Sequence, residues 1–296
     1  MSAASGRTTA MKIVEEATTS ADGTRVGWER HGAGEPVLVL HGGARAARHY
    51  RALAAALAGR FSVLAVDRRG RGLSPSLGRW RGMDTEVEDV AAVMQATGAT
   101  QIFGHSGGAI VALEAARRLP VRRLALYEPP VCLEKLLPLD WVPSFRAALD
   151  AGHSARAMAL FLRGLRMGPP IELPVWLLAV LARVMLLGAD GREMAELLRT
   201  VPRDLEALGS LGTDIARYRD VRCTTLLLAG ARSQAYLLQA TAQLELTLPD
   251  VRRADIPGAD HNAPDVHAPE VVAAHLASFF DPAPAPSAVA AAASAG

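Results

Sequence analysis

The sequence predicts an α/β protein with a mostly parallel central sheet flanked by helices. Short apolar runs bounded by glycine recur between stretches of helical periodicity, which is typical of buried parallel strands joined by crossover helices. A serine stands between glycines at 104–108, after one such run and before an apolar helical stretch. The strand–helix alternation stops over 131–220, where helical periodicity is continuous. A chain of 296 residues is long enough for one domain carrying such an inserted helical cap.

The predicted strands share one property, which is that a glycine or a polar residue follows each of them within two positions. They are VLVL at 37–40, followed by HGG at 41–43; FSVLAV at 61–66, followed by DRRGRGLS at 67–74; QIF at 101–103, followed by GHSGG at 104–108; LALY at 124–127, followed by EPP at 128–130; TTLLLA at 224–229; and VRRADI at 251–256, followed by PGADHN at 257–262. Ligands of open α/β sheets bind at the carboxyl ends of the strands, so these segments are candidates for one site.

The GHSGG segment has the features of a nucleophile at a tight strand-to-helix turn. Such a turn leaves no room for side chains on its flanks, which explains glycine at positions 104 and 108. Ser106 then stands alone at the top of the turn with its hydroxyl exposed. Because a helix begins directly after it, the Gly107 N–H points toward developing negative charge. An incidental serine in a glycine-rich turn is the alternative for this segment alone.

Taken in their order, the segments 41–43, 67–74, 104–108 and 258–261 resemble those of the α/β-hydrolase fold enzymes with a helical cap. The resemblance extends over about residues 12–281. It implies a core formed by 12–130 and 221–281 and a helical cap at 131–220.

The resemblance also implies roles for residues of this chain. Ser106 would be the nucleophile and His261 the general base that activates it. The backbone N–H groups of Gly43 and Gly107 would form the oxyanion hole, and His41 would orient its loop. A serine at position 106 argues against epoxide hydrolysis and dehalogenation, because the resemblance implies an aspartate at this position in enzymes of this fold that catalyse those reactions.

The acid of the triad is missing from its usual place, because the turn after 224–229 contains neither Asp nor Glu. Glu128 follows the next strand after the serine, so we expect its carboxylate to lie beside the serine turn, as in certain haloalkane dehalogenases and mycotoxin lactonases of this fold. Two prolines after it would fix the turn. A solvated or salt-bridged Glu128 is the alternative, and Asp260 is a weaker candidate because it adjoins the histidine.

The most apolar cap segment is 175–187, which at 13 residues is shorter than the ~20 needed to span a bilayer. It is interpreted either as a helix packed between cap and core or as a pocket lid for an apolar substrate. Residues expected to line the substrate pocket are His105, Trp141, Phe145, Trp176 and Leu178.

Composition argues against several classes of binding partner. The net charge is only +2, and the arginines at 68, 69, 71, 79 and 81 lack interleaved aromatic residues, so they are interpreted as a solvated loop rather than a nucleic-acid site. Two cysteines form no metal-binding spacing. Without an apolar leader segment, a cytoplasmic location is expected, with no membrane partner and a monomer or homodimer. Residues 1–11 and 282–296 are expected to be flexible.

The predicted function is a serine hydrolase that cleaves a carboxylic ester or lactone of an apolar small molecule through an acyl-enzyme intermediate, without cofactor or metal. Alternatives on the same fold are a C–C bond hydrolase, a lyase, a cofactor-free haloperoxidase-like enzyme, or a non-catalytic small-molecule-binding protein.

Overall fold

The apolar runs form one mixed sheet in the computed structural model, which describes residues 12–131, 136, 139–167 and 173–281. In chain order its strands are β1 (Val14–Thr19), β2 (Arg25–His31), β3 (Glu35–Leu40), β4 (Phe61–Val66), β5 (Gln101–His105), β6 (Arg123–Tyr127), β7 (Thr224–Gly230) and β8 (Val251–Ile256). Their order across the sheet is β1-β2-β4-β3-β5-β6-β7-β8. β2 is antiparallel to β1 and β4, and the pairs from β4 to β8 are parallel.

Alternate residues of the central strands supply two apolar layers, one on each face of the sheet. Leu38 and Leu40 of β3 lie in one layer, and Val37 and Val39 lie in the other. Both layers are needed because helices cover both faces of a parallel sheet. The helices that cover them are α1 (Arg51–Leu57), α2 (Met83–Thr97), α3 (Gly107–Arg118), α9 (Ala235–Glu245) and α10 (Pro269–Phe280).

Before a 3₁₀ helix (Ile215–Asp220), five α-helices with described bounds lie between β6 and β7, where the sequence predicts a cap. They are α4 (Val142–Asp150), α5 (Ser154–Gly164), α6 (Val175–Met185), α7 (Gly188–Leu198) and α8 (Val201–Gly209). A separate apolar cluster, which includes Phe145 of α4 and Met158 of α5, holds them together.

Helix α6, the most apolar cap segment, differs from both interpretations. Leu178 and Ala182 are buried, but Trp176 is 68% exposed and Val184 is 66% exposed. The helix therefore packs by one narrow face and presents a broad apolar face to solvent, instead of closing a pocket.

The arginine-rich loop after β4 also corrects the sequence interpretation. Arg68, Arg69 and Arg71 are buried, and each is paired with carboxylates from elsewhere in the chain. Only Arg79 and Arg81 are exposed, as expected for a solvated loop. These ion pairs could not be predicted from neighbouring residues in the sequence, because the carboxylates come from α2, α8 and the segment before β2.

None of the described helices has the length and apolar character needed to cross a bilayer. Residues 1–11 and 282–296, whose flexibility was expected from composition, lie outside the described ranges, as does Cys132.

Candidate active site

The turn between β5 and α3 places Ser106 in a backbone conformation that side chains rarely adopt. Its φ is 53° and its ψ is −122°. A Cβ at Gly104 would lie 2.6 Å from the Ala109 Cα, and one at Gly108 would lie 2.3 Å from the Leu40 carbonyl oxygen. Only glycine fits at these two positions, so the turn keeps its strained geometry and holds the serine hydroxyl above the sheet.

Three side chains that follow three different parallel strands meet at this turn. The Ser106 Oγ lies 3.1 Å from His261 Nε2, and His261 Nδ1 lies 2.6 Å from Glu128 Oε2. Because a carboxylate accepts, the Nδ1 of a neutral imidazole carries the proton and Nε2 is left free to accept the serine proton. The structure thus brings together the serine, histidine and glutamate that the sequence singled out.

The backbone conformation of Glu128 and the hydrogen bonds of both its carboxylate oxygens fix the orientation of its side chain. Its φ is +48°, and its side chain is fully buried. Oε1 accepts the Gly230 N–H at 2.7 Å, which leaves Oε2 for the imidazole. A Cβ at Gly230 would lie 2.6 Å from the Ala259 carbonyl, so this glycine also allows the histidine loop to approach β7. Gly230 was not expected to contribute to the site from sequence.

The weaker candidates for the acid lie elsewhere. Asp260 accepts hydrogen bonds from the Asn262 N–H and contacts the His267 ring at 2.8 Å, so its carboxylate faces away from the His261 ring. In the turn where the acid usually stands, the side-chain hydroxyl of Ser233 has no hydrogen-bond partner among the described residues, so it does not contact the His261 ring. Glu128 is therefore the described carboxylate in contact with His261.

The backbone N–H groups of Gly43 and Gly107 lie side by side next to the serine. A Cβ at Gly107 would lie 3.7 Å from the Gly43 nitrogen. Within the described chain neither N–H donates to a protein acceptor, so both are free to donate to an oxyanion at Ser106. His41 orders this loop: its Nδ1 lies 2.9 Å from the Gly42 carbonyl oxygen, and its Nε2 accepts the Arg68 N–H at 3.1 Å. Burial and two nearby guanidinium groups lower the pKa of His41 well below its ordinary value.

A cavity opens above Ser106, and its wall is mostly apolar. The described side chains that line it from the cap and from α9 are Phe161, Leu165, Met167, Val201, Leu205, Leu208, Tyr236 and Leu237, with Pro130 after β6. Arg45, Asp204 and Asn262 add polar groups. The helix α8 supplies four of these residues on one face, at the i, i+3, i+4 and i+7 spacing of an amphipathic helix, which was the available but unused signal in the sequence.

Of the five residues expected to line the substrate pocket, one borders this cavity and four do not. His105 borders the cavity at its base. Trp141, Phe145, Trp176 and Leu178 are not part of the cavity lining, so their assignment to the pocket is wrong. Phe145 and Leu178 are buried inside the cap, Trp141 packs on Phe145 with ring centroids 5.6 Å apart, and Trp176 faces solvent. Apolar character alone does not tell which face of a cap helix points to the core and which to the site.

Asp204 connects the cap to the loop after β4 at the edge of the cavity. Its Oδ1 accepts from Arg68 Nη2 at 2.8 Å, and its Oδ2 accepts from Arg71 Nη2 at 2.6 Å. Arg68 also donates from Nε to Glu86 at 2.9 Å. All four side chains are buried, so the two positive and two negative charges compensate one another away from water.

Comparison with known proteins agrees with this architecture. A solved α/β hydrolase of Sphaerobacter thermophilus is 30% identical and covers 90% of this chain and all of that chain, with a TM-score of 0.76. The 2-(acetamidomethylene)succinate hydrolase of Mesorhizobium japonicum is 26% identical over 260 residues, which are 84% of this chain and 89% of that protein. A non-heme chloroperoxidase of Streptomyces lividans is 34% identical over 151 residues, covering 46% of this chain and 55% of that protein. The model of the alpha/beta hydrolase family matches residues 37–275, which are most of the chain. The strand order and the serine turn agree with that match. The chain belongs to the alpha/beta hydrolase family.

Proposed function

We propose that this hydrolase cleaves a carboxylic ester or lactone of an apolar small molecule through a covalent acyl-Ser106 intermediate. The observation that carries the proposal is the continuous contact from the Ser106 Oγ through the His261 ring to the buried carboxylate of Glu128. A serine hydroxyl is a weak nucleophile until a neighbouring base takes its proton, and this ring is within reach to do so.

The proposed reaction uses the groups in a fixed sequence. Ser106 Oγ attacks the carbonyl carbon while His261 Nε2 takes its proton, and Glu128 stabilises the imidazolium. The N–H groups of Gly43 and Gly107 donate to the oxyanion of the tetrahedral intermediate. His261 then gives its proton to the leaving alkoxide oxygen. A water molecule, deprotonated by the same ring, releases the acid and restores the serine.

The lining of the cavity supports an apolar substrate. Leucine and phenylalanine side chains surround the space above Ser106. The arginine and the aspartate that line it are already engaged, because Arg45 is paired with Asp265 and Asp204 is paired with two arginines. A charged substrate group would have to compete with these pairs or remain unpaired in an apolar space, at a cost of desolvation.

The direct test is covalent labelling. The wild-type protein should react with a fluorophosphonate and show an acyl burst with a p-nitrophenyl ester, while Ser106→Ala should do neither and keep its melting temperature. Mass spectrometry should place the adduct on the peptide containing Ser106. Absence of labelling in a folded wild-type protein would favour a non-catalytic binding protein.

A second candidate, perhydrolysis, is favoured by the sequence similarity to the chloroperoxidase. Hydrogen peroxide would replace water in the second step, attack the acyl-Ser106 carbonyl and leave as a peroxycarboxylic acid. The test is a competition: with acetate ester and added hydrogen peroxide, the ratio of peroxyacid to acetate is measured. A product mixture that remains pure acetate would reject this candidate and leave simple hydrolysis.

A further inference from the structure

We infer that Tyr50 and His105 are positioning residues that hold the oxyanion loop and the loop carrying His261 at fixed places relative to Ser106. This inference rests on the proposed hydrolase function and deepens it. The two residues form a buried chain of hydrogen bonds that reaches from Gly42 to the backbone of His261, across three separate segments of the sequence.

The contacts of the chain are short and have a defined direction. The Gly42 N–H donates to Tyr50 Oη at 3.2 Å, and Tyr50 Oη lies 2.5 Å from His105 Nδ1. His105 Nε2 lies 2.8 Å from the carbonyl oxygen of His261. A carbonyl oxygen only accepts, so Nε2 carries the proton, Nδ1 accepts, and the tyrosine hydroxyl donates to it. Each polar atom of the two side chains is thereby satisfied.

The surroundings keep His105 in this single tautomer. The ring is buried between Tyr50 and Tyr127, both edge-on, with ring centroids 5.9 and 5.6 Å away. Burial, with the nearby His261 ring and Arg45, lowers the pKa of His105 well below its ordinary value. A neutral ring can accept from Tyr50 and donate to the carbonyl at the same time, whereas a charged ring could accept from nothing.

Placement in the chain explains why this connection would affect catalysis. His105 directly precedes Ser106, Gly42 directly precedes the oxyanion donor Gly43, and the accepted carbonyl belongs to His261 itself. The connection therefore joins backbone next to the nucleophile, next to the oxyanion hole and at the base. A displacement of about 1 Å in such a group can lower the rate about 10²-fold.

Three variants separate the two halves of the connection. Tyr50→Phe removes only the hydroxyl between Gly42 and His105. His105→Gln keeps a donor near the Nε2 position, and His105→Asn keeps a polar group near the Nδ1 position. We expect Tyr50→Phe to lower kcat on the order of 10-fold to 100-fold with KM nearly unchanged, after correction for the fraction of active sites titrated.

Hydrogen exchange reports on the position of the loop that carries His261 without any substrate. The Ala263 N–H donates to the Asp260 carbonyl oxygen at 3.1 Å, within this loop. In the unliganded protein its hydrogen exchange should accelerate in His105→Asn and stay near wild type in His105→Gln. Nitrogen NMR of the wild-type ring should show the neutral tautomer protonated at Nε2.

The matched control is Tyr218→Phe, which removes the hydroxyl of another buried tyrosine that belongs to the apolar layer under α3. Its kcat should stay at the wild-type value. The inference is overturned if Tyr50→Phe keeps kcat within about twofold of wild type, or if Ala263 exchange in His105→Asn is unchanged. If wild type is not labelled at Ser106, the proposed function fails, and the exchange and NMR results alone then decide the positioning role.

Discussion

Glu128 Oε2 lies 2.6 Å from His261 Nδ1 although 133 residues separate the two in the chain. The contact is possible because β6 lies between β5 and β7 in the sheet, so the residue after β6 reaches the histidine loop from beside the serine. The last residue of β7, Gly230, precedes the turn where the acid more often stands, and its N–H donates to the other oxygen of the same carboxylate.

Glu128→Gln should lower kcat on the order of 10⁴-fold with little change in KM, because an amide cannot stabilise the imidazolium by its charge. Steady-state hydrolysis of a p-nitrophenyl ester measures this. Asp260→Asn and Ser233→Ala are the controls, since neither side chain contacts the His261 ring. A large loss in Asp260→Asn with a mild effect of Glu128→Gln would reverse the assignment.

His261→Ala should reduce turnover about as much as Ser106→Ala, and the double variant should be little worse than either single variant. The reason is that both groups act in one proton transfer, so their losses are not additive. Comparing log kcat/KM for the three variants gives the coupling directly. Losses that add would show that the serine and the histidine act in separate steps.

Asp204→Asn should destabilise the fold by about 3–5 kcal/mol, the cost of leaving one partner of a buried ion pair uncompensated. Arg68 and Arg71 lose a shared negative charge in this variant. Chemical denaturation measures the free energy of unfolding. Glu88→Gln, which breaks an exposed pair with Arg81, is the control and should cost about 0–1 kcal/mol. Equal effects would mean that the cap is not anchored through Asp204.

Leu205→Trp should shift activity toward esters with shorter acyl chains, because the larger side chain occupies the cavity above Ser106. Each methylene that loses its apolar contact costs about 0.8 kcal/mol, or roughly fourfold in kcat/KM. A series of p-nitrophenyl esters of increasing length reports this. Trp176→Ala, at an exposed position on α6, should leave the series unchanged; a shift there instead would place the acyl group on the far side of the cap.

Stability should fall as the solution is acidified below about pH 6.5. His41 and His105 are buried and neutral, with folded-state pKa values lowered by burial. Below their ordinary pKa the unfolded chain binds protons that the folded chain does not, so unfolding takes up protons and becomes easier as pH falls. Each such histidine contributes a slope of about 1.4 kcal/mol per pH unit, until pH falls below its folded-state pKa.

Denaturation curves at several pH values measure that slope. In His105→Gln the slope should decrease by the contribution of one histidine, about 1.4 kcal/mol per pH unit. An identical slope in His105→Gln and wild type would mean that His105 takes up no proton on unfolding.

The sequence alone determined the features that depend on local chemistry. Short apolar runs between glycines identified the strands, because a strand covered on both faces has to be apolar throughout. The glycines at 104 and 108 identified the serine turn, because the backbone there approaches α3 and β3 too closely for any side chain. Because the turn after β7 contains no acid, the sequence favours Glu128, which follows the next strand after the serine and therefore lies at the same edge of the sheet.

Only the tertiary structure decided which partners face one another. Asp67 directly precedes Arg68 in sequence, yet its carboxylate accepts from the Ala47 and Leu73 N–H groups. Arg68 and Arg71 pair instead with Asp204, which α8 carries from the cap. Trp176 lies on α6, the most apolar cap helix, and faces solvent, whereas Leu205 lies on the more polar α8 and lines the cavity. Helical periodicity specifies that a face is apolar, but what that face contacts depends on how the helices pack, and packing is a property of the whole cap.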